Sequence, residues 1–226
     1  MGFPRCCAIV GSASFQAGHF LAEHAAGSFS CIVAADGGFT HLERAGIAPD
    51  VALGDFDSLG YVPDAPLVER HPAMKDASDL ELALSWAQAE GFSSAAVYGA
   101  LGGRLDQTMA TQQTLVRCAR AGMRAVAVGQ GCLVAALASR GFSSLELAAQ
   151  ERGTVSVFAV GGDARGVSER GLVYGLDRAA LACDTSLGLS NEFAGAPARI
   201  EVEQGDLLVF APPLPLSALE FGHTGR

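Results

Sequence analysis

The sequence predicts an α/β N-terminal domain with a mostly parallel, Rossmann-like sheet, followed by an all-β sandwich, with the division at residues 1–132 and 133–226. Three observations carry this. Short apolar runs alternate with helical patterns through roughly the first 130 residues, the mark of βαβ units. Glycine and acidic residues gather directly after those runs. From about Leu133 the helical patterns give way to strand-like runs set apart by Gly, Asp and Asn turn signals. The 226 residues are half hydrophobic, ample for a sizeable core.

The strand candidates of the first half are Cys7–Val10, Cys31–Ala35, Val51–Leu53, Leu67–Glu69, Ala95–Tyr98 and Ala125–Val128. A helix is expected to start near Asp76, where Leu80, Ala83, Leu84 and Ala87 follow the i, i+3, i+4, i+7 rule for one buried face. A second runs from about Leu105 to Ala121 and is ended by Gly122, with Leu105, Met109, Val116 and Ala119 as its inner stripe. In the second half the strand candidates are Val155–Val160, Leu172–Leu176, Arg199–Val202 and Leu207–Phe210. The tail after Pro212 is expected at the surface and loosely held.

Composition narrows the function classes. A net charge of −9 disfavours a nucleic-acid partner, whose phosphates reward basic surfaces. No apolar run approaches the ~20 residues needed to span a bilayer, and the first residues lack the pattern of a signal peptide. A soluble cytoplasmic protein with no membrane partner is expected. Cys6, Cys7, Cys31, Cys118, Cys132 and Cys183 form no Cys-x-x-Cys pair, which argues against a disulfide framework or a zinc site.

Four clusters at successive strand ends carry the chemistry. The most informative is Gly54-Asp55-Phe56-Asp57-Ser58. Read as extended chain, it points Asp55 and Asp57 to one face and Phe56 into the core. Two carboxylates on one face repel unless a cation sits between them, and Mg2+ holding substrate phosphates is the economical occupant. The alternative is a turn in which aspartate bonds nearby amides. Ala35-Asp36-Gly37-Gly38 follows an earlier strand, and its glycines either bring amides close to a ligand or simply turn the chain. Lys75-Asp76-Ala77-Ser78-Asp79 opens the first helix, where Asp and Ser also serve as caps. Gly99-Ala100-Leu101-Gly102-Gly103-Arg104-Leu105-Asp106-Gln107 feeds the second helix. Free amides at a helix start attract phosphate, and Arg104 adds a bidentate cation. An acidic protein that binds a polyphosphate needs such local cations or a metal.

Taken in order, ADGG (35–38), GDFDS (54–58), KDASDLELAL (75–84) and GGRLDQ (102–107) resemble the thiamine pyrophosphokinase family. GLVYGL (171–176) and LSNE (189–192) extend the likeness into the second half. The resemblance implies Mg2+-dependent transfer of a pyrophosphoryl group from ATP to thiamine by a homodimer. By motif, Asp55, Asp57 and Asp79 would ligate the metal, with Asp36 supporting the cluster. Gly37, Gly38, Ser58, Lys75, Asp76, Gly102, Gly103, Arg104 and Asp106 would surround the nucleotide. Tyr174 would stack on thiamine near Ser168, Ser190 and Asn191, at the subunit interface. Gln107 stands where many members carry His, Ser78 replaces Thr, and Gly175 stands where bacterial members often have Pro. A nucleotide-sugar glycosyltransferase would also explain Asp55 and Asp57 but none of the other clusters. A nucleotide- or thiamine-binding sensor that kept the fold and lost turnover is the third reading, and retention of every acidic position in the pattern counts against it.

Overall fold

The structure, a computed structural model, describes residues 5–57, 59–71 and 76–223. The first elements in chain order are β1 (Cys6–Val10), α1 (Ala17–Ala25), β2 (Phe29–Ala35), α2 (Gly38–Ala45), β3 (Val51–Gly54) and β4 (Leu67–Arg70). They are followed by α3 (Asp79–Ala89), β5 (Ser94–Tyr98), α4 (Leu105–Arg120) and β6 (Arg124–Gly129). Strands then dominate: β7 (Cys132–Ala138), β8 (Ser144–Leu147), β9 (Thr154–Arg170), β10 (Leu176–Leu181), β11 (Asn191–Glu192), β12 (Ala198–Glu201), β13 (Gln204–Ala211) and β14 (Leu219–Gly222). The chain divides into two compact units. One runs to Thr114 and includes Ala127–Gln130; the other contains Leu115–Val126 and the chain from Gly131 onward.

In the N-terminal unit the strands lie in the order β5-β1-β2-β3-β4, and each neighbouring pair is parallel. Every residue of β1 and β5 is buried, as expected of strands covered on both faces. That burial explains why these runs show no polar alternation. It also pushes the Cys6 thiol up to about 12, so it stays protonated and packs as a small hydrophobe.

α3 begins at Asp79, three residues later than the expected start near Asp76. The cause is Ser78, which is extended and accepts a hydrogen bond from the Glu81 N–H at 3.2 Å. Ala83, Leu84 and Ala87 are buried as predicted. The inner stripe of α4 needs correction. Leu105 and Met109 are 82% and 56% exposed, whereas Val116 and Ala119 are buried. Thr111, not an apolar residue, begins the buried face. Its hydroxyl donates to the Ala100 carbonyl at 3.1 Å, and the residues of α4 ahead of it are exposed or half-buried, so periodicity of apolar letters misreads the helix start.

The C-terminal unit is antiparallel, in the order β14-β8-β12-β9-β13-β7, with β10 and β11 also paired to β9. β9 is 17 residues long and contains the expected strand Val155–Val160. β12 and β13 fall where strands were expected. The Leu172–Leu176 strand is not formed: β10 starts at Leu176, and Leu172 makes only an isolated bridge to Phe193. Gly171, at φ +74, breaks the chain out of β9 just before that segment. The tail expectation also fails. Leu214, Leu216, Leu219 and Phe221 are buried, and β14 pairs along β8.

Candidate active site

A parallel sheet delivers all its strand C-termini to one edge, where α/β proteins build their sites. Here the loops following β1, β2 and β5, with the start of α3, enclose a cleft of about 180 Å3 lined by Gly11, Ser12, Asp36, Ser78, Asp79 and Gln107 among others. It is smaller than the roughly 300–1,000 Å3 of a drug-sized pocket and suits a phosphate-sized group.

Asp36 is held in the left-handed region at φ +44. Its N–H donates to the Leu53 carbonyl at 2.8 Å, and its own carbonyl accepts from the Phe39 N–H at 3.2 Å. Non-glycine residues in this conformation are costly and cluster at functional sites. Two glycines fix the placement. A Cβ on Gly38 would lie 1.8 Å from the Val10 carbonyl oxygen, so α2 can begin against β1 only without a side chain there. Gly54, at φ +153, lets β3 end against Asp36, where a Cβ would come within 3.1 Å of the Asp36 Cα.

Beyond Gly54, which ends β3, residues 55–57 enter a turn and are not extended chain. Phe56 has φ +61, and its carbonyl accepts from the N–H groups of Leu59 and Gly60, both at 3.1 Å. The Asp57 N–H donates to Asp55 Oδ1 at 3.0 Å. The alternation that would put Asp55 and Asp57 on one face therefore does not apply, although Phe56 is buried as expected. Ser58 and Lys75 lie outside the described residues.

Asp79 opens α3, where the helix dipole favours its charge. Asp76 is exposed just ahead of the cap. In the loop after β5, Arg104 donates to both carboxylate oxygens of Asp106, Nε to Oδ1 at 3.1 Å and Nη2 to Oδ2 at 2.6 Å. That guanidinium, with the Gln107 N–H, holds the Asp106 carboxyl below its ordinary range. Arg104 is thus oriented at the helix start. The Gly102 N–H is taken by the Thr108 hydroxyl at 3.1 Å, so this amide is spent locally.

As hard oxygen donors, Asp36, Asp55, Asp57 and Asp79 are chemically suited to Mg2+. Of these, Asp36 and Asp79 share the cleft. Among the described residues no three His, Cys, Asp or Glu side chains converge on one metal position.

In the C-terminal unit the motif residues divide sharply. Tyr174 is 69% exposed and Ser190 is exposed, whereas Ser168 and Asn191 are buried. The Ser168 hydroxyl accepts from the Arg178 N–H at 3.1 Å. Asn191 Oδ1 accepts from the N–H groups of Tyr174 at 3.0 Å and Glu192 at 2.9 Å.

Residues 22–127 match the thiamin pyrophosphokinase catalytic domain, and residues 144–207 match the thiamin pyrophosphokinase vitamin B1 binding domain. The chain belongs to the thiamin pyrophosphokinase family. It is similar to a thiamine pyrophosphokinase of Bacillus subtilis (strain 168), 35% identical over 91 residues. That match spans 38% of this chain and 42% of the relative's length. The crystal structure of thiamine pyrophosphokinase from Bacillus subtilis superposes with a TM-score of 0.77 at 20% identity, covering 92% of this chain and 98% of that one. The enzyme from Geobacillus thermodenitrificans gives 0.76 at 23% identity, with 92% and 97% covered. That from Candida albicans gives 0.74 at 14% identity, with 92% and 88% covered. At these identities the likeness is one of fold.

The loop Gly11-Ser12-Ala13 also lines this cleft, and the sequence alone does not single it out. Its signal was present, since it follows the apolar run of β1 as the other clusters follow theirs. It lacks an acidic residue, and that hid it. Thr111 escaped notice because a threonine inside a helix looks like an outward polar position.

Proposed function

We propose that this chain transfers the β,γ-pyrophosphoryl group of ATP to the hydroxyethyl oxygen of thiamine, giving thiamine diphosphate and AMP. The observation that carries the reading is the phosphate-sized cleft at the strand ends, lined by Asp36 and Asp79. It lies inside the segment matched as catalytic domain, in a chain that also matches a vitamin B1 binding domain. The thiamine oxygen forms a bond to the β-phosphorus as the bond from that phosphorus to the α,β-bridging oxygen breaks. The hydroxyl proton leaves, and AMP departs with the bridging oxygen.

Asp55, Asp57 and Asp79 would hold Mg2+, with Asp36 beside them. When bound, that ion supplies charge neutralisation for the phosphate oxygens. The chain's own part is positioning and electrostatics. Loop amides at the strand ends orient the polyphosphate, and Arg104, aimed by Asp106, balances charge building on it. Tyr174 offers an exposed ring for stacking on thiamine. We also read the protein as a cytoplasmic homodimer with thiamine at the subunit interface. Among the described residues no helix is long and apolar enough to cross a membrane.

The test is purified protein with ATP, Mg2+ and thiamine, scored for AMP and thiamine diphosphate. Equal amounts of both products are expected. Tight thiamine binding with no AMP would leave the sensor reading in place and remove this one.

A further inference from the structure

A buried carboxyl group stands behind the vitamin-binding motif, and among the described residues no cation pairs with it. Glu169 is only 2% exposed, and its cross-strand neighbours are Leu176 and Ile200. Burial raises its pKa, outweighing the opposite effect of the Asn191 hydrogen bond. Oε2 accepts from Asn191 Nδ2 at 2.9 Å, while Oε1 is buried with no hydrogen-bond partner among the described residues. An apolar side chain of the same volume would ordinarily fill such a site at lower cost. What the carboxyl adds is its effect on Asn191.

Asn191 Nδ2 carries two hydrogens. One goes to Glu169, the other to the Tyr174 carbonyl at 2.5 Å. Oδ1 takes the Tyr174 and Glu192 N–H groups. One amide therefore grips both backbone polar groups of Tyr174. The adjoining Val173 N–H donates to the Glu192 carbonyl at 2.9 Å. The side chain with the greatest need of a fixed base, an exposed ring on a short irregular segment, is the one so held. Asn191 has no amide hydrogen left for a ligand.

We propose that Glu169 is a positioning residue for thiamine: through Asn191 it fixes the backbone of Tyr174 and so presents the ring to the substrate. The proposal rests on the reading of this chain as a thiamine pyrophosphokinase. Removing the acceptor frees an Asn191 hydrogen inside the protein, and the amide shifts to satisfy it. The Tyr174 segment then loosens while the strand-end cleft of the other unit keeps its residues.

The experiment compares wild type with Glu169→Leu, which removes the acceptor, and Glu169→Gln, which keeps one. Steady-state kinetics and hydrogen exchange at the Tyr174 amide are measured on the full chain. If one hydrogen bond's worth of order is lost, Glu169→Leu raises the KM for thiamine about 10-fold and speeds Tyr174 exchange about as much. The KM for ATP stays within about twofold, and Glu169→Gln recovers most of both effects. Should Glu169→Leu fail to fold, Glu169→Met takes its place. Unchanged thiamine KM and exchange in a folded variant overturn the proposal, as does an equal rise in both KM values. A wild type that makes no thiamine diphosphate sinks the function instead, and Tyr174 exchange alone then decides whether the clamp exists.

Discussion

The two units spend similar residues in opposite ways. In the N-terminal unit Asp36 and Asp79 sit half-buried at strand and helix ends, with carboxylates bordering an open cleft. Their fixed positions come from elsewhere: a glycine against β1, a glycine against Asp36, a serine cap. In the C-terminal unit Ser168, Asn191 and Glu169 are buried and, Glu169 Oε1 apart, their side-chain polar atoms face one another or the backbone. The first arrangement separates scaffold from chemistry. The second builds scaffold out of the polar residues themselves and leaves Tyr174 exposed.

This contrast can be broken by substitution. The largest effect should come from Gly38→Ala, which drives a methyl into the Val10 carbonyl; a loss of about 3 kcal/mol is expected, the upper range for overpacking, measured by urea unfolding. Asp79→Asn should lower turnover by about 100-fold, comparable to losing one key electrostatic contact, with the melting temperature nearly unchanged. A large drop in melting temperature would mean that Asp79 is scaffold after all. Asn191→Ala strands the groups it now satisfies and should cost about 2 kcal/mol, alongside a raised thiamine KM. Normal stability in that variant would erase the distinction between the units.

The smallest effect concerns pH. Because burial raises the Glu169 pKa in the folded state, its contribution to stability is fully present below the unfolded carboxylate pKa. That contribution fades as pH rises through the folded value. Glu169→Gln does not titrate there. The melting temperature of wild type relative to this variant should therefore fall as pH climbs above the ordinary carboxylate range. A difference that stays flat with pH would show that burial does not perturb the group.

Sequence revealed the buried parallel strands most clearly, because burial on both faces writes them as plain apolar runs such as Cys7–Val10 and Ala95–Tyr98. It did not reveal α1 or α2. α1 has no capping side chain, and α2 starts on glycines with no acid in its first turn. β7 is hard to read for the opposite reason: six of its seven residues are buried, and its alanine-rich apolar run shows no period that separates a strand from a buried helix segment, although Gly129 and Gly131 mark its start. The acidic clusters were legible because glycine and aspartate recur after each strand. The geometry within them was not. Phe56 adopts a left-handed backbone that no spacing rule anticipates, and it converts an apparent two-sided strand into a turn. In the second half, hydrogen bonds to side chains decide the path from Gly171 to Leu176, and those partners lie about twenty residues further along the chain.

β9 has a consequence for how the protein is made. Its partners β10, β11, β12 and β13 all follow it in the chain, and β13 also pairs β7. The parallel sheet of the other unit, by contrast, has every strand from β1 to β5 in hand by Tyr98. As the chain emerges from the ribosome, the N-terminal unit can assemble early. The C-terminal unit can pair the later part of β9 with β10 once Leu181 is made, but the Ser156–Val160 stretch waits for β13, which ends at Ala211. Long-range antiparallel pairing is slow and leaves strand edges open meanwhile. The half that holds Tyr174 is therefore the one that depends on protection during synthesis.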